Sequence, residues 1–385
     1  MQRAGASVPP EFSGHIDGAL MKKAQEYGAE KTRFGLFSSL FSTIATLVFL
    51  FGGVLNLYNS WIVSLNLSFI VSGWLFFLLL SYAGELLSLP FSLYNTFRIE
   101  NKYGFNTMTP GIWVSDFIKS FLLSTILLSL LLFAGLWLVQ WSPRFWWFWV
   151  WGFLFFFSVF LLYLSPYVIE PLFNTFTPVE DALLRKGIGE LTERAGIHAG
   201  RILKIDASRR SRHTNAYFTG IGRTKRIVLY DTLLESMSHP EILAVLAHEI
   251  GHWKKRHLLK ALAAFEVFSF LSLYAAYRLT QGDFLIRLFA LGADTLFAKL
   301  VLLGFLAGII SLPLKPVVTF FSRWHERQAD RASFELTKDT EAMVSALVKL
   351  SKENLSNLYP HPLYVALYYS HPPVVQRIRH LRTLS

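Results

Sequence analysis

The 385-residue chain contains no cysteine. That excludes disulfides, iron–sulfur clusters and cysteine-ligated zinc, so any metal centre must draw on His, Asp or Glu. Charge is scarce too: Asp, Glu, Lys and Arg make up 16% of the residues, against about 25% in ordinary soluble domains. Acidic residues are the scarcer sign, 26 against 37 Lys and Arg, leaving a formal charge of +11. An excess of that size fits a nucleic-acid binder or a protein facing anionic lipid. What is abundant decides between them. Hydrophobic residues are 53% of the chain and aromatics 16%, with a mean hydropathy of +0.39. That composition belongs to a membrane protein with lipids as neighbours and no nucleic-acid partner.

Four apolar segments come early, roughly 35–57, 62–90, 112–140 and 145–168, and two more later, about 258–280 and 295–322. Each exceeds the about 20 residues that an α-helix needs to cross hydrocarbon. Between them, from 171 to 257, charged residues and short alternating runs such as "RILKIDAS" and "KRIVLYD" predict a small α/β unit outside the bilayer. The expected class is mainly α, with about six transmembrane helices and a short β-sheet. The expected organisation is four spans in 1–170, an α/β unit in 171–257, two spans in 258–322 and a helical tail in 323–385.

Charges between the spans give an orientation. With a cytoplasmic N-terminus, Lys22, Lys23, Lys31, Arg33, Arg98, Lys102 and the basic run of 171–257 fall inside, while the outer connections hold little beyond Arg144, Arg278 and Arg287. Six spans return the C-terminus to the cytoplasm. The cluster "RFWWFWVWG" at 144–152 then sits where an interfacial belt anchors a protein in lipid.

One apolar stretch carries groups that are costly to bury: "ILAVLAHEIGHWKKRHLLKAL", 242–262. Positions i and i+4 of a helix share a face, so His248 and His252 can offer two imidazole nitrogens to one metal ion with Glu249 beside them. An HExxH string arises by chance in roughly one chain of this length in a hundred, so context matters. Three ionisable groups in an apolar run are expensive without a partner cation, and a metal supplies one. Zinc needs a third protein ligand and an open position for water. The tail offers "RWHERQADRASFEL", where Glu326 and Asp330 lie one helical turn apart. One carboxylate can bind the ion and the other can accept the free N–H of a ligating histidine. His325 competes for the same role.

Several stretches together are specific: "PFSLYNTFRIENKYGFNTMTP" (90–110), "PLFNTFTPVED" (171–181), "TNAYFTGIGRTKRIVLYDTLL" (214–234), "LAHEIGHWKKRH" (246–257), "ERQADRASFEL" (326–336) and "YSHPPVVQRI" (369–378). In these the chain resembles the CAAX prenyl protease 1 family, integral membrane zinc metallopeptidases also called type I prenyl-protein endopeptidases. The resemblance implies one zinc ion on His248, His252 and Glu326, with Glu249 as general base and Asp330 behind the ligands. It also implies helices enclosing a water-filled chamber within the membrane. "NAYF", 215–218, reads as an edge strand paired through "GIGRTK" with 226–230. In the family this is the substrate-binding strand, which assigns Asn215 to catalysis and Ala216, Tyr217 and Phe218 to substrate binding. The resemblance also sets His371 near the zinc, as a donor to the oxyanion. Arg377 can pair with a carboxylate, either the substrate's C-terminus or a structural Asp. His257 is expected at the junction of helix and membrane rather than on the ion.

The family is described with seven membrane helices, the first ahead of the region matched here by "VPPEF" and "KTRFG". Only six hydrophobic spans are visible, so the first family helix has no counterpart: either the chain begins late or a span has been misread. The implied substrate is a peptide or lipidated protein of CAAX type, with the catalytic unit and C-terminus on the cytoplasmic side of a multi-pass protein. The membrane would be the inner membrane in a bacterium and the endoplasmic reticulum in a eukaryote. Two other readings stand beside it, a quality-control protease of membrane proteins and a non-catalytic zinc-containing scaffold or transporter. Against the latter stands Glu249, since a purely structural site needs ligands and no base.

Overall fold

Hydrophobic length dictates the main architecture. A computed structural model describes residues 7–197, 200–219 and 226–384. Among these, six helices are long and apolar enough to cross a bilayer: Gly18–Phe51, Phe69–Tyr103, Pro110–Trp141, Trp146–Phe173, His257–Thr280 and Leu296–Thr337. Their ends differ from the hydropathy boundaries wherever backbone chemistry overrides apolarity. The first span stops at Phe51 because Gly52 and Gly53 follow, the latter left-handed at φ 82°. A separate helix, Val54–Ser64, then covers the stretch where a loop between the first two spans was expected. The turn comes instead at 65–68, with Asn66 at φ 50°. The sixth span runs through a 3₁₀ turn at Leu312–Leu314 and continues as Lys315–Thr337. Residue 322 therefore lies mid-helix, not at a boundary.

The tryptophan cluster does more than meet lipid. Trp147 packs edge-on against Phe270 and Tyr274 of the fifth span. The indole N–H of Trp151 donates to the Glu266 carbonyl. Trp146 is buried, whereas Phe145, Phe148 and Trp149 remain exposed. Part of the expected anchoring belt is thus a helix–helix contact.

Outside the spans, four strands form one sheet: β1 Phe176–Pro178, β2 Arg201–Ile205, β3 Ala216–Thr219 and β4 Arg226–Tyr230. Their order is β1-β2-β4-β3. β3 runs antiparallel to β4, pairing Ala216 with Leu229 and Phe218 with Ile227, as the sequence predicts; the "GIGRTK" connection lies outside the described residues. Being last in the order, β3 keeps one edge unpaired among the described residues. Side chains alternate across the pleat, so Ala216, Phe218, Ile227 and Leu229 face a core with Leu184, Ile188 and Leu191 of helix Ala182–Arg194. The same core takes Ile242, Val245, Leu246 and Ile250 from helix His239–Lys254, here the motif helix. Standing at i, i+3, i+4 and i+8, they form the apolar face of a helix laid on a sheet.

Two features hold the motif helix in place. Its start is a capping box: the backbone N–H and hydroxyl of Ser238 both donate to Glu241 Oε2, at 2.7 and 2.8 Å. Lys349 Nζ donates to the same oxygen at 2.7 Å, and the Ser345 hydroxyl to Oε1 at 2.6 Å. The second feature is Gly251. A Cβ there would sit 2.8 Å from the Ala332 Cβ and 2.9 Å from the Ala329 Cα. Only hydrogen at position 251 lets the motif helix and Lys315–Thr337, here the carboxylate helix, approach backbone to backbone. The Ser333 hydroxyl, donating to the Ala244 carbonyl at 2.8 Å, ties them.

Gly251→Ala is expected to force the two helices apart, lowering stability by about 1–3 kcal/mol in the manner of core overpacking; thermal unfolding of the detergent-purified variant at the wild-type temperature would contradict this. Burial pushes the Glu241 carboxyl up, but Lys349, Ser345 and Ser238 outweigh it and hold its pKa at about 2 against an ordinary 4.5. Its folded pKa is depressed, so its contribution is complete above about 4.5 and is lost as pH falls toward 2. Glu241→Gln should cost roughly 1–3 kcal/mol at neutral pH and flatten the loss of stability between those two values, checked by denaturation across pH 2 to 7.

Candidate metal centre

His248 and His252 project from one face of the motif helix, with their Nε2 atoms 3.2 Å apart. Glu326, from the carboxylate helix, meets them: Oε1 lies 3.1 Å from His252 Nε2 and Oε2 3.4 Å from His248 Nε2. The three donors fall within 4.8 Å of one another, and form the one group of three or more such residues among those described that could hold an ion. His248 and Glu326 are buried and His252 is half-buried.

The geometry fits a cation. Four ligands placed tetrahedrally at about 2.0–2.1 Å from an ion are separated by about 3.3 Å, which matches the distances just given. Glu326 Oε2 is buried and lacks a hydrogen bond of acceptable angle, although His371 Nδ1 lies 2.7 Å away. A buried carboxylate oxygen left so is costly, and a metal would satisfy it.

The partners behind these residues point the same way. His248 Nδ1 lies 2.9 Å from Asp330 Oδ1 and 3.3 Å from Arg377 Nη2; a proton on Nδ1 directed at the carboxylate leaves Nε2 with its lone pair. Burial alone pushes the His248 ring pKa down, but hydrogen bonds to Asp330 and Glu326 outweigh it and raise the value to about 9. The pocket thus favours positive charge. Arg377 takes up Asp330 through two bonds, Nε to Oδ2 at 3.0 Å and Nη2 to Oδ1 at 2.5 Å. Of its two expected partners it has the structural Asp, which takes Nε and Nη2 and leaves Nη1 directed toward Glu326 at 3.8 Å. His325 is turned aside, its ring stacked on that of His257 at 4.0 Å.

Glu249 follows His248 on the motif helix, half-buried, and makes no hydrogen bond to the described residues. A carboxylate that is beside the donors and uncommitted can carry a proton. His371, mostly exposed, reaches the pocket from the "SHPP" turn. β3 packs alongside the motif helix. Asn215 at its head is exposed, and its Oδ1 accepts from the Ala216 N–H at 2.9 Å. Ala216 and Phe218 face the core. The Tyr217 hydroxyl, on the opposite face, donates to Glu170 Oε2 at 3.0 Å. Only the backbone of these three residues is turned to the open edge.

Sequence reasoning missed three contributors. Gly251 looked like a variable position inside HExxH. Gln328 stands between the two carboxylates with no signal of its own. His257 does head the fifth span as expected, yet its Nδ1 lies 3.0 Å from His252 Nδ1. A histidine five residues beyond a helical ligand, across a helix break, has no periodicity to reveal it.

Comparison with known proteins places the whole chain in a family. Residues 1–175 match the family described as CAAX prenyl protease N-terminal, five membrane helices, and residues 178–385 match peptidase family M48. Up to Phe173 the described residues carry four helices long and apolar enough to cross, one fewer than that description. The chain is 35% identical to CAAX prenyl protease 1 of Saccharomyces cerevisiae, over 98% of this chain and 89% of the relative. It is 31% identical to the CAAX prenyl protease 1 homolog of Homo sapiens, with the same coverage. The crystal structure of S. mikatae Ste24p superposes with a TM-score of 0.92 at 32% identity, covering 98% of this chain and 92% of that one. With the membrane helices, the sheet and the His–Glu–His arrangement all in place, the chain belongs to the CAAX prenyl protease 1 family and is a multi-pass membrane metalloendopeptidase of peptidase family M48.

Proposed function

We propose that this chain is a zinc endopeptidase that cuts near the C-terminus of prenylated CAAX-type proteins. The observation that carries the reading is the meeting of His248, His252 and Glu326 from two helices, with the uncommitted Glu249 beside them. Zinc suits a set of two imidazoles and a carboxylate. When bound, it would polarise the scissile carbonyl and lower the pKa of water toward about 7.

The protein's own residues do the rest. The Glu249 carboxylate takes the proton of the attacking water and returns it to the leaving amine. His371, whose Nδ1 faces Glu326, can donate to the oxyanion through Nε2 when its ring is the imidazolium, and Asn215 stands at the head of β3 to bind the substrate chain or assist there. The unpaired edge of β3 at Ala216, Tyr217 and Phe218 can hold the peptide extended through main-chain hydrogen bonds. Asp330, fixed by Arg377, keeps His248 in the Nδ1-protonated tautomer.

The membrane part supports a lipidated substrate. In four of the six spans only 6% of the apolar window is buried within the protein, so most of each helix surface is left to lipid or to a cavity, even where the fourth and fifth spans pack together. A cleft of about 770 Å³, lined by Phe41, Thr46, Tyr58, Leu80, Gly84 and Phe305, opens between the first, second and sixth spans. The excess of Lys and Arg between spans favours the catalytic unit and C-terminus on the cytoplasmic side, in the endoplasmic reticulum of a eukaryote or the inner membrane of a bacterium.

Glu249→Gln is expected to abolish peptide cleavage while leaving metal content unchanged; wild-type-like proteolysis by this variant, or loss of its metal, contradicts the assignment. Purified protein should cut a farnesylated CAAX peptide, read by mass spectrometry, and stop when a chelator removes the ion. Faster cleavage of the unmodified counterpart would favour the quality-control reading, and no cleavage of either by metal-loaded protein would favour a scaffold.

A further inference from the structure

Among the described residues no carboxylate meets His252 Nδ1. Its Nδ1 faces His257, which follows directly on Arg256, a left-handed residue at φ 56° that ends the motif helix and turns the chain into the fifth span. That turn brings the His257 ring back toward the pocket, buried, with Nδ1 3.0 Å from His252 Nδ1 and Nε2 3.0 Å from Gln328 Oε1. The His325 ring stacks on its face and fixes its plane.

With the Gln328 oxygen turned to His257, the two hydrogen bonds fix the protons. An amide oxygen can only accept, so His257 Nε2 carries a hydrogen. In the neutral ring Nδ1 is then an acceptor, and His252 Nδ1 must donate to it. His252 Nε2 is left unprotonated, facing His248 Nε2 and Glu326 Oε1. Turning the Gln328 amide over would reverse every bond and place a proton on His252 Nε2, where it would repel a cation. We propose that His257 and Gln328 are positioning residues that hold His252 in its Nδ1-protonated tautomer, doing for this histidine through a neutral relay what Asp330 does for His248.

This rests on the metal-centre reading, and the experiment separates the two. Zinc affinity is measured by chelator competition on the full chain in detergent, with the melting temperature of the metal-free form recorded alongside. His257→Leu removes the acceptor, His257→Asn keeps an oxygen close to the Nδ1 position, and Gln328→Leu removes the far end of the relay. Loss of a residue that orients a ligand costs about 10–100-fold in metal affinity; that loss is expected for His257→Leu and Gln328→Leu, with most of it restored in His257→Asn and metal-free melting little changed. Wild-type affinity in both leucine variants overturns the relay. So does an equal loss in His257→Asn accompanied by a lowered metal-free melting temperature, which would mark a packing role. Failure of the wild-type protein itself to bind zinc overturns the metal-centre reading, and the relay with it.

Discussion

The contact between Gly251 and the Ala329–Ala332 turn sets everything else. The donors come from two helices far apart in sequence, and the sum of two side-chain lengths leaves no slack in an ion site whose bonds are only about 2 Å long. A glutamate can reach a histidine pair on a neighbouring helix only where the two axes run close. With small residues at 251, 329 and 332, the backbones touch. The HExxH spacing therefore needs two things from its second x: it must keep the helix continuous, and it must be small enough to admit the partner helix. Helix propensity alone would favour Ala over Gly by about 1 kcal/mol, so the glycine here is selected by packing.

Polar groups close to a membrane must be satisfied locally, and the centre is arranged as a series of such satisfactions. Glu326 faces three histidines, Asp330 faces His248 and Arg377, and Arg377 lies mostly buried between the carboxylates. Removing one partner from such a group strands another charge, so each residue supports its neighbours as well as the chemistry. Glu249 is the exception, and its freedom is what chemistry requires: a base already donating or accepting elsewhere would have to break that bond before moving a proton.

How much of this was legible in the sequence depends on whether the controlling physics is local. Hydropathy placed all six spans, and an i, i+4 pair of histidines announced its own face. The pairing of the 215–218 stretch with 226–230 was read from the hairpin pattern, and the strand lies one residue on, at Ala216–Thr219. Helix ends were less legible, because Gly52, Gly53 and Asn66 decide them through backbone conformation rather than apolarity. Residues alone left Glu326, Asp330 and His325 as alternatives, since a shared helical turn does not say which side chain meets a distant helix. Gln328, His257 and the tertiary role of Gly251 were invisible for the same reason. Their partners are fixed only when the motif helix, the fifth span and the carboxylate helix converge.

The place of the site relative to the bilayer follows from helix arithmetic. The sixth span is one helical run of 42 residues, Leu296–Thr337, about 63 Å long at about 1.5 Å per residue. Hydrocarbon is about 30 Å thick, so even a strongly tilted helix must project from it. Polarity says which end projects: Leu296–Ser311 bears one Lys, whereas Arg323, Glu326, Arg327, Asp330 and Arg331 crowd the far half. Glu326 and Asp330, about 45 and 51 Å along the run from Leu296 at about 1.5 Å per residue, thus lie on its projecting polar half, on a rod anchored by its apolar half.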